Sequence, residues 1–522
     1  MATRGHVRPA LVASLTASLD CATLDTSGAL MASDGVSLLL ARGPLGGESL
    51  YYAWLSDGQV LFASTELAAV VRQLASRPRV SEPRLASFAA GLFAEDRTGT
   101  HYEGVARLDA GESLYVGPHG VERRRSLPEA ISEVWLEGDV RELAIELRRR
   151  IDVAVGRATE GAKRVAVLVG GIDSSSVVAS LVAQSRGATP KELDVLTCDL
   201  GGPGCDSAYV DALCDAYGLV PLHIAAHATR NAAPLSLVMD DAPATLELYE
   251  HAAIEHARAR GADVALSGHF GDDVFGGDLG LLGSALATQQ PLKAIRAAAF
   301  TRFPLPQSRA SLVLQLVARP FARRLFSPLL RRASQFESLR AQLPWARPRM
   351  LALCERALRA NAEVRAADPD GPGAYFRSYA DSQAFVDSAD ASARVESVTH
   401  LACRCPFADV DLVRFVTAIR PDLLHTGGIY RGLLRLAMRD AMPEHVRMRV
   451  DKADPRANIV SAFIDHPSAV PLRSVRELAA RDLVDPVAFS SAVTGADRAR
   501  SAGALLEVLA AEAFLRHTQE AS

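Results

Sequence analysis

The sequence lacks the features that would anchor this chain in a membrane. It contains no apolar run of about 20 residues, the length that a bilayer-spanning helix needs. Near the start, Arg4 and Arg8 precede an apolar stretch at 10–19, but serine and threonine interrupt that stretch and protein-like sequence follows it. We therefore expect residues 10–19 to form the first strand or helix of the mature fold and not a signal peptide.

Cysteine is also scarce, and its spacing argues against a metal cluster or a disulfide framework. The seven cysteines are odd in number and scattered, and none forms a C-x-x-C pair. Free thiols in a reducing compartment are the simplest interpretation, so the sequence predicts a cytoplasmic protein. Charged residues make up 23% of the chain, and the formal net charge of −4 favours no particular charged partner.

The first quarter of the chain has the texture of a β-rich domain. At 522 residues the chain is too long for one hydrophobic core, so two or more domains are expected. Up to about residue 125, short apolar runs alternate with turns, which is typical of strands. The predicted strands lie at 36–41, 50–56, 59–63 and 112–116.

The rest of the chain has a different pattern. An amphipathic helix is predicted at 140–156, and from residue 280 onward the pattern is almost wholly helical. Between them, apolar strands alternate with helices, which implies a parallel, doubly wound sheet with its ligand at the carboxyl ends of the strands. The fold class predicted is α/β, with a β-rich N-terminal domain, the parallel-sheet domain and a helical C-terminal region. The predicted strands of the sheet include 193–200, 220–225 and 262–267.

One segment, VAVLVGGIDSSSVVA at 165–179, indicates a phosphate site. Five apolar residues predict a buried strand, Gly170 and Gly171 turn the backbone, and Asp173 opens a helix. Such a turn gathers backbone N–H groups and the positive end of a helix at one point, which suits an anion. It is not a Walker A loop, because no Lys-Ser or Lys-Thr follows the glycines, and the third glycine of a dinucleotide site is missing. A tight turn without a ligand is the alternative interpretation.

A second strand runs into SGHFGDDVFGG at 267–277. Asp272 and Asp273 place carboxylates just beyond that strand, and Asp173 holds the corresponding position after the first. Mg²⁺ bound to a nucleotide needs one or two protein carboxylates. Asp173 and Asp272 are therefore predicted to hold Mg²⁺ at neighbouring strand ends.

With these two segments, the chain resembles the asparagine synthetase superfamily of ATP pyrophosphatases. The stretches RCPFADVDLVRFVTAIRPDLL at 404–424 and YRGLLRLAMRD at 430–440 are similar to later motifs of that family. PLGGESLYYAWLSDGQVLFASTELAAV at 44–70 is similar to its amidotransferase domain. The resemblance implies a degenerate class II glutamine-amidotransferase-like domain at 1–128 and an ATP-dependent synthetase domain at 129–522.

The resemblance also implies a set of site residues, with ATP and Mg²⁺ as cofactors. Lys452 occupies the place of a late family lysine that stabilises developing negative charge, and Arg431 is a weaker candidate for the phosphates. The adenine is expected near the strand that contains Leu196, whose edge backbone can bond the base. The remaining implied nucleotide-binding residues are Gly170, Gly171, Asp173, Ser174, Ser175, Ser267 and Gly268.

Departures from the family pattern select among its members. Glutamine-dependent members carry a nucleophilic cysteine after Met1, where this chain has Ala2, so no thiol is present there to hydrolyse glutamine. Two groups of relatives join a carboxylate to an amine of the substrate itself: β-lactam-forming synthetases and lasso peptide cyclases. His269, in place of the family's first acid, and the short first domain favour the lasso cyclases. The resemblance then implies a macrolactam synthetase acting on a precursor peptide.

Two further departures weaken particular sites. Val169 stands where the family loop has serine, which removes one hydroxyl donor to the phosphates, and Ala402 stands where the family has glutamate, which leaves the catalytic acid open. Glu396 and His400 are candidates to replace that glutamate, and an ordinary helix surface is the alternative interpretation for each. Val169 and Ala402 also keep open a decayed synthetase that only binds nucleotide or peptide.

A basic helical insertion is predicted at 291–350. This stretch holds twelve lysine and arginine residues against the single acid Glu337. A solvated helical face is one interpretation, and a docking surface for a peptide or an acidic partner is the other. RNA is less favoured, because aromatic residues are few and no nucleic-acid motif is present. A leader peptidase and a leader-recognition protein are the partners that the resemblance implies.

Overall fold

The computed structural model describes most of the chain. The described residues are 28–45, 47–55, 60–92, 96–185, 191–199, 205–225, 237–245, 247–276, 339–366, 371–381, 383–450, 466–495 and 501–520, with the single residues 310, 314, 464 and 498. Ala2, Lys452 and most of the basic stretch 291–350 lie outside these residues. Within the described part of the chain, no helix is both long and apolar enough to cross a membrane.

The N-terminal part contains two antiparallel sheets, in agreement with the β-rich texture of its sequence. One sheet has the strand order β1-β2-β6-β7 and the other β4-β3-β5. Alternate residues of β3 face different cores: Tyr52 packs with Leu40 and Leu114, whereas Tyr51 joins a core shared with C-terminal helices. The strands are β1 (Ala29–Ser33), β2 (Leu38–Arg42), β3 (Tyr51–Leu55), β4 (Val60–Ser64), β5 (Val105–Arg107), β6 (Glu112–Gly117) and β7 (Gly120–Arg125), with helices α1 (Leu67–Gln73) and α2 (Glu82–Ala89).

The central sheet is parallel, as predicted, and has five strands. Its order is β10-β9-β8-β13-β14. In β8, Val165 and Val167 enter one core and Ala166 and Leu168 the other, so the sheet is buried on both faces. The elements are α3 (Val140–Ala158), β8 (Arg164–Leu168), α4 (Ile172–Ser185), β9 (Glu192–Asp199), α5 (Ser207–Tyr217), β10 (Pro221–Ala225), a β11–β12 ribbon (Val238–Met239 and Ala242–Pro243), α6 (Glu247–Ala259), β13 (Val264–Leu266), α7 (Gly271–Gly276) and β14 (Ala402–Arg404).

The strand β14 corrects the expectation that the region after residue 280 is almost wholly helical. It pairs with β13 over three residues, Val264 with Ala402 through Leu266 with Arg404. Three half-buried residues show neither an apolar run nor a period of two, so no pattern in the sequence marked them as a strand.

The remaining described elements are helical and pack in two places, against the parallel sheet and in the core that contains Tyr51. In the core that contains Tyr51, the last helix packs with β3, α1 and α2. The helices are α8 (Pro348–Ala366), α9 (Pro372–Ala380), α10 (Gln383–Thr399), α11 (Val410–Ala418), α12 (Pro421–Leu424), α13 (Gly432–Ala437), α14 (Glu444–Arg447), α15 (Arg476–Ala480), α16 (Pro486–Thr494) and α17 (Ala502–Glu520), with 3₁₀ turns at Pro406–Ala408, Thr426–Gly428 and Pro467–Ser474.

Candidate active site

The strand order creates a crevice at the carboxyl ends of β8 and β13. The chain moves from β8 outward to β9 and β10, and then returns to the other side of β8 with β13. In open parallel sheets, the point where the order reverses is where ligands bind. Both sequence segments singled out above begin there: residues 169–176 follow β8, and residues 267–276 follow β13.

The loop after β8 closes on itself through serine hydroxyls. The Gly170 amide donates to Ser174 Oγ at 3.0 Å. The Ser175 hydroxyl donates to the Gly171 carbonyl at 2.8 Å. Helix α4 begins at Ile172, so Asp173 lies in its first turn, where the helix dipole favours negative charge. The structure therefore provides the predicted glycine turn and helix start, and Ser174 and Ser175 here bond to the loop's own backbone.

Val169 continues the sheet and does not face the loop. Its amide donates to the Leu196 carbonyl at 2.7 Å, and its side chain is buried in the core. This bond corrects the expectation that the strand containing Leu196 offers a free edge to the adenine, because β9 lies between β8 and β10. Contact of Leu196 with the base stays a prediction, and the Leu196 carbonyl is already engaged in the sheet.

The two strand-end loops approach each other so closely that glycine is required. A Cβ atom on Gly268 would lie 2.4 Å from the Ser174 amide nitrogen. A Cβ atom on Gly271 would lie 2.4 Å from Asp173 Cγ. Between these glycines, Phe270 adopts a left-handed backbone conformation with φ of 67°. The sequence S-G-H-F-G-D thus brings the second loop against the first and places Asp272 near Asp173.

A single arginine joins the two carboxylates predicted to hold the metal. Arg431 Nη1 donates to Asp173 Oδ2, and Arg431 Nη2 pairs with Asp272 Oδ1. The Arg431 side chain is 5% exposed, Asp173 is 14% exposed and Asp272 is 50% exposed. The geometry therefore brings together three sequence-predicted residues, but as a carboxylate–arginine–carboxylate triad that the sequence did not predict.

Arg431 is held from behind by two aromatic residues. It has a left-handed backbone with φ of 56°, and its amide donates to His425 Nδ1 at 3.3 Å. Its guanidinium lies over the Tyr430 ring at 4.8 Å, and the His425 and Tyr430 rings stack at 5.5 Å. Burial lowers the pKa of His425 to about 4, which leaves Nδ1 unprotonated and able to accept this hydrogen bond. Tyr430 opens the family-like stretch at 430–440, but no motif in the sequence marked His425.

The carboxylate pair fits a divalent cation. Asp173 Oδ1 is buried and has no hydrogen-bond partner among the residues that the structure describes. A buried carboxylate oxygen without a donor is costly unless a cation meets it. Carboxylate oxygens are the ligands that Mg²⁺ prefers, and nucleotide phosphates complete its shell. The donor set is thus suitable, and the Arg431 guanidinium competes for the same two carboxylates.

A second arginine–aspartate pair lies on the other side of the loop after β8. A Cβ atom on Gly170 would lie 2.8 Å from Asp206 Oδ2, so that carboxylate abuts the loop. Arg449 pairs with Asp206 at 2.6 Å and lies 3.9 Å from the Tyr209 ring centroid. The sequence analysis did not identify this arginine, although the basic residues in HVRMRVDK at 445–452 were a signal for it.

Buried arginines also lie behind the site. Arg435 donates to the Tyr430 carbonyl at 2.9 Å, and Arg447 donates to the Arg435 carbonyl at 2.9 Å. Burial, with the nearby charges of Arg431 and Arg447, lowers the pKa of Arg435 to about 10. Arg435 thus adds a buried positive charge behind the carboxylate pair, and such a charge favours an anionic ligand such as a triphosphate.

The segment after β13 carries a histidine–glutamate pair. His269 Nε2 lies 2.5 Å from Glu250 Oε1 on α6. Ser267 Oγ lies 3.4 Å from Cys405 Sγ, just beyond β14. These contacts connect the segment to the helix on one side and to the edge strand on the other.

Glu396 and His400, the candidates for the missing catalytic acid, have different surroundings. Glu396 accepts a hydrogen bond from the Cys403 amide at 3.0 Å, and burial raises its pKa. His400 is exposed at the end of α10 and has a left-handed backbone. Glu396 therefore helps to hold β14 in place. A catalytic role for Glu396 or His400 stays a prediction.

Comparison with known proteins identifies the family. A family model described as asparagine synthase matches residues 146–520. A search of curated proteins finds no match. Among solved structures, the U34-tRNA thiolase NcsA from Methanococcus maripaludis with its 4Fe-4S cluster matches with 15% identity and a TM-score of 0.21, too low to support any argument. That match covers 34% of this chain and 64% of the thiolase chain. Because the family model covers well over half of the chain and both strand-end loops, the chain belongs to the asparagine synthase family.

Proposed function

We propose that this chain is an AMP-forming macrolactam synthetase that closes a ring in a precursor peptide. It adenylates the side-chain carboxylate of an Asp or Glu and joins it to the peptide's N-terminal amine. The observation that supports an active enzyme is the carboxylate pair Asp173 and Asp272, brought together at the switch point of the sheet and surrounded by buried arginines.

The first step forms the acyl-adenylate. An oxygen of the peptide carboxylate attacks the α-phosphorus of ATP, and the bond to the β-phosphate oxygen breaks to release pyrophosphate. The amides of Gly170 and Gly171 and the hydroxyls of Ser174 and Ser175 donate to the departing pyrophosphate, and the two hydroxyls leave the Gly171 carbonyl to do so. Asp173 and Asp272 would hold Mg²⁺, which neutralises phosphate charge when bound.

The second step forms the amide. The amine nitrogen attacks the activated carbonyl carbon, the bond to the AMP oxygen breaks, and the amine loses a proton. Lys452 stabilises the negative charge that develops on the oxygen. Holding the amine beside the adenylate is a proximity effect worth up to about 7–11 kcal/mol, provided that water is kept away from the adenylate.

A peptide substrate is supported by the features that depart from glutamine-dependent relatives. Ala2 supplies no thiol to release ammonia from glutamine, so the amine comes from the substrate. His269 within S-G-H-x-G-D and the short first domain resemble lasso peptide cyclases. The basic stretch 291–350 would dock the peptide or a protein that delivers it.

The test uses purified chain, ATP and a leaderless peptide with a free N-terminal amine and an Asp or Glu several residues along. The peptide should lose one water while ATP is converted to AMP and pyrophosphate, as measured by mass spectrometry and nucleotide chromatography. Glutamine should not be hydrolysed, and free ammonia should not support turnover.

Two other results would replace this proposal. Cyclisation of a small β-amino acid, with no reaction of any peptide, would identify a β-lactam-forming synthetase. Nucleotide binding without steady production of AMP, under conditions where the peptide and its partners are supplied, would identify a decayed scaffold. Val169 and Ala402 are the residues that favour the scaffold.

Partner proteins are part of the proposal. A leader peptidase and a leader-recognition protein would deliver the freshly cut peptide, and the basic stretch is the candidate contact surface. Reversing the charge of four arginines together should impair peptide processing and spare ATP binding. The four are Arg323, Arg324, Arg331 and Arg332.

A further inference from the structure

A cavity away from the nucleotide site lies between the N-terminal sheets and the C-terminal helices. Its volume is about 260 Å³, and none of its lining residues belongs to the two strand-end loops. This volume lies just below the roughly 300–1,000 Å³ of pockets that hold drug-sized molecules. The cavity therefore admits a smaller ligand, about the size of an amino acid. Its walls come from β3, α1, α2, α10 and α17 and from the segment before α6.

Part of the lining is apolar. Leu67, Phe88, Leu92 and Ala391 belong to it, and the ring of Phe88 meets the ring of His101 edge-on at a centroid distance of 5.6 Å. A ligand held there would bury an apolar body, at roughly 25 cal/mol for each Å² removed from water.

The lining also contains arginine. Arg84, Arg107 and Arg394 line the cavity together with Asp387, Asp390 and Glu507. Arg107 Nη2 donates to Asp387 Oδ1 at 2.8 Å, and Arg42, from behind the wall, donates to Asp390 Oδ1 at 2.6 Å. Asp240, which accepts from the Leu67 amide and lies near Arg394, is a fourth carboxylate, so the four arginines are balanced in number. Around His101 the arginines prevail, because, besides burial, the charges of Arg84, Arg394 and Arg107 lower its pKa and the charge of Asp387 opposes them.

The buried arginines lie in surroundings that favour a further anion. Burial, with the charges of Arg84 and Arg42 nearby, lowers the pKa of Arg107 to about 10. Burial also lowers the pKa of Arg42, which lies completely inside the protein. A further negative charge in the cavity would stabilise both cations.

His101 supplies a polar group that the fold does not use. Its Nδ1 atom is buried and has no hydrogen-bond partner among the described residues, although the ring lines the cavity. Burial and the charges of Arg84 and Arg394 hold the pKa of His101 well below its usual value, so the ring is neutral. A neutral imidazole can donate one N–H to a ligand carboxylate.

We propose that this cavity binds a small organic monocarboxylate with an apolar body, its carboxylate beside His101 and Arg394 and its body against Phe88 and Ala391. The arginines around His101 favour an anion, and the apolar part of the lining selects against a small inorganic one. This binding is independent of the amide-forming reaction, because the cavity shares no residue with the nucleotide site.

The test compares two probes on the full chain by titration calorimetry, without ATP. N-acetyl-L-leucine carries the carboxylate, and N-acetyl-L-leucinamide has the same body without the charge. The acid should bind at least tenfold more tightly than the amide, and ATP should not compete with it. Equal binding of the two probes, or binding of neither, would overturn the proposal without any variant.

Variants then locate the binding. Arg394→Gln should remove the preference for the acid, and Arg394→Lys should restore part of it. Ala391→Phe, which fills the apolar side, should weaken both probes. Arg377→Gln, at an exposed arginine on α9, is the matched control and should change nothing. If Arg394→Gln and Ala391→Phe, folded by their melting curves, both bind the acid like wild type, the cavity is not the site.

Discussion

Arg431 lies between Asp173 and Asp272 and contacts both carboxylates with the two ends of one guanidinium group. The group carries one positive charge where the sequence predicts a divalent cation. Because the three side chains form one network, a cation can reach both carboxylates only when the arginine releases them. The phosphates of a bound nucleotide would offer the arginine its new partners.

Replacing Arg431 should therefore tighten the binding of free Mg²⁺. In Arg431→Gln the two carboxylates lose their competing cation, so the dissociation constant for Mg²⁺ without ATP should fall about tenfold, equivalent to about 1.4 kcal/mol. Turnover should fall as well, because the phosphates lose a ligand. Calorimetric titration with MgCl₂ measures the first effect, and AMP release measures the second.

The matched control for this experiment is Arg260→Gln. Arg260 pairs with Asp194 at 3.0 Å and lies 40% exposed, away from the strand ends. Its replacement should leave Mg²⁺ binding unchanged. Mg²⁺ binding in Arg431→Gln that is unchanged or weaker would contradict competition between the arginine and the metal.

Asp173 and Asp272 should both be essential for activity but should differ in their effect on stability. Asp173→Ala and Asp272→Ala should each abolish AMP formation. Asp173 is mostly buried and bonds to buried Arg431, which keeps only the half-exposed Asp272 as a partner when Asp173 is lost, so this loss should cost about 1.5–3 kcal/mol in unfolding free energy. Asp272 is half exposed, and its loss should cost about 0–1 kcal/mol.

Denaturant unfolding, together with an activity assay, checks both parts of this expectation. The double variant Asp173→Asn/Arg431→Gln removes both partners and should recover part of the stability without recovering activity. Near-wild-type turnover in either single variant would exclude the two-loop metal site.

Much of the fold was predictable because hydrophobic periodicity is local. The strands at β8 and β9 and the helix α3 follow from apolar runs and a repeating apolar face, and the structure places them within two residues of the predicted bounds at each end. The glycine turn after β8 was predictable because the glycines at 170–171 and the helix start at Asp173 lie in one continuous stretch.

The rest of the site depends on residues that are distant in sequence. Arg431 meets Asp173 across 258 residues, and no spacing rule indicates that this arginine bridges the two carboxylates predicted to hold the metal. Arg449 reaches the loop after β8 only through Asp206, the residue just before helix α5. Likewise, β14 is recognisable only from its pairing with β13. Contacts of this kind are set by tertiary packing, which a single sequence does not reveal.

The ionisation of Glu48 should make the unfolding free energy of the protein depend on pH. Burial and the neighbouring carboxylate of Glu396 raise the pKa of Glu48 from 4.5 to about 7. Because the folded-state pKa lies above the unfolded one, its favourable contribution is complete below pH 4.5 and is lost as the pH rises through 7. Glu48→Gln should therefore increase the unfolding free energy at pH 8 by about 2–3 kcal/mol relative to wild type.

The measurement is a series of urea unfolding curves between pH 4 and pH 8. The gain from Glu48→Gln should grow with pH and nearly vanish at pH 4. Glu122→Gln, at an exposed glutamate on β7, is the control and should show no such trend. A constant difference between wild type and Glu48→Gln at all pH values would contradict the prediction.

His425 should make the protein less stable in acid. Burial lowers its pKa to about 4, against 6.5 in the unfolded chain. The unfolded state therefore binds more protons, and the stability that is present above pH 6.5 is lost as the pH falls toward 4, by about 3 kcal/mol. Asparagine offers an oxygen to the Arg431 amide but does not titrate, so His425→Asn should flatten the slope of stability between pH 6.5 and pH 4. An unchanged slope would show that this histidine is protonated in the folded state.

Lys452 should act on the transition state and not on ATP binding. The residues just before Lys452 are held beside the loop after β8. Arg449 pairs with Asp206, and Arg447 donates to the backbone carbonyl of Arg435. A lysine that meets charge developing during the reaction contributes more to the rate than to binding. Lys452→Ala should therefore lower the single-turnover rate by about 10²–10³-fold and leave the dissociation constant for ATP within a few-fold of wild type. The exposed Lys163, replaced by alanine, is the control and should change neither quantity. A normal rate in Lys452→Ala would remove this lysine from the mechanism, and a large loss of ATP affinity with a normal rate would make it a nucleotide-binding residue only.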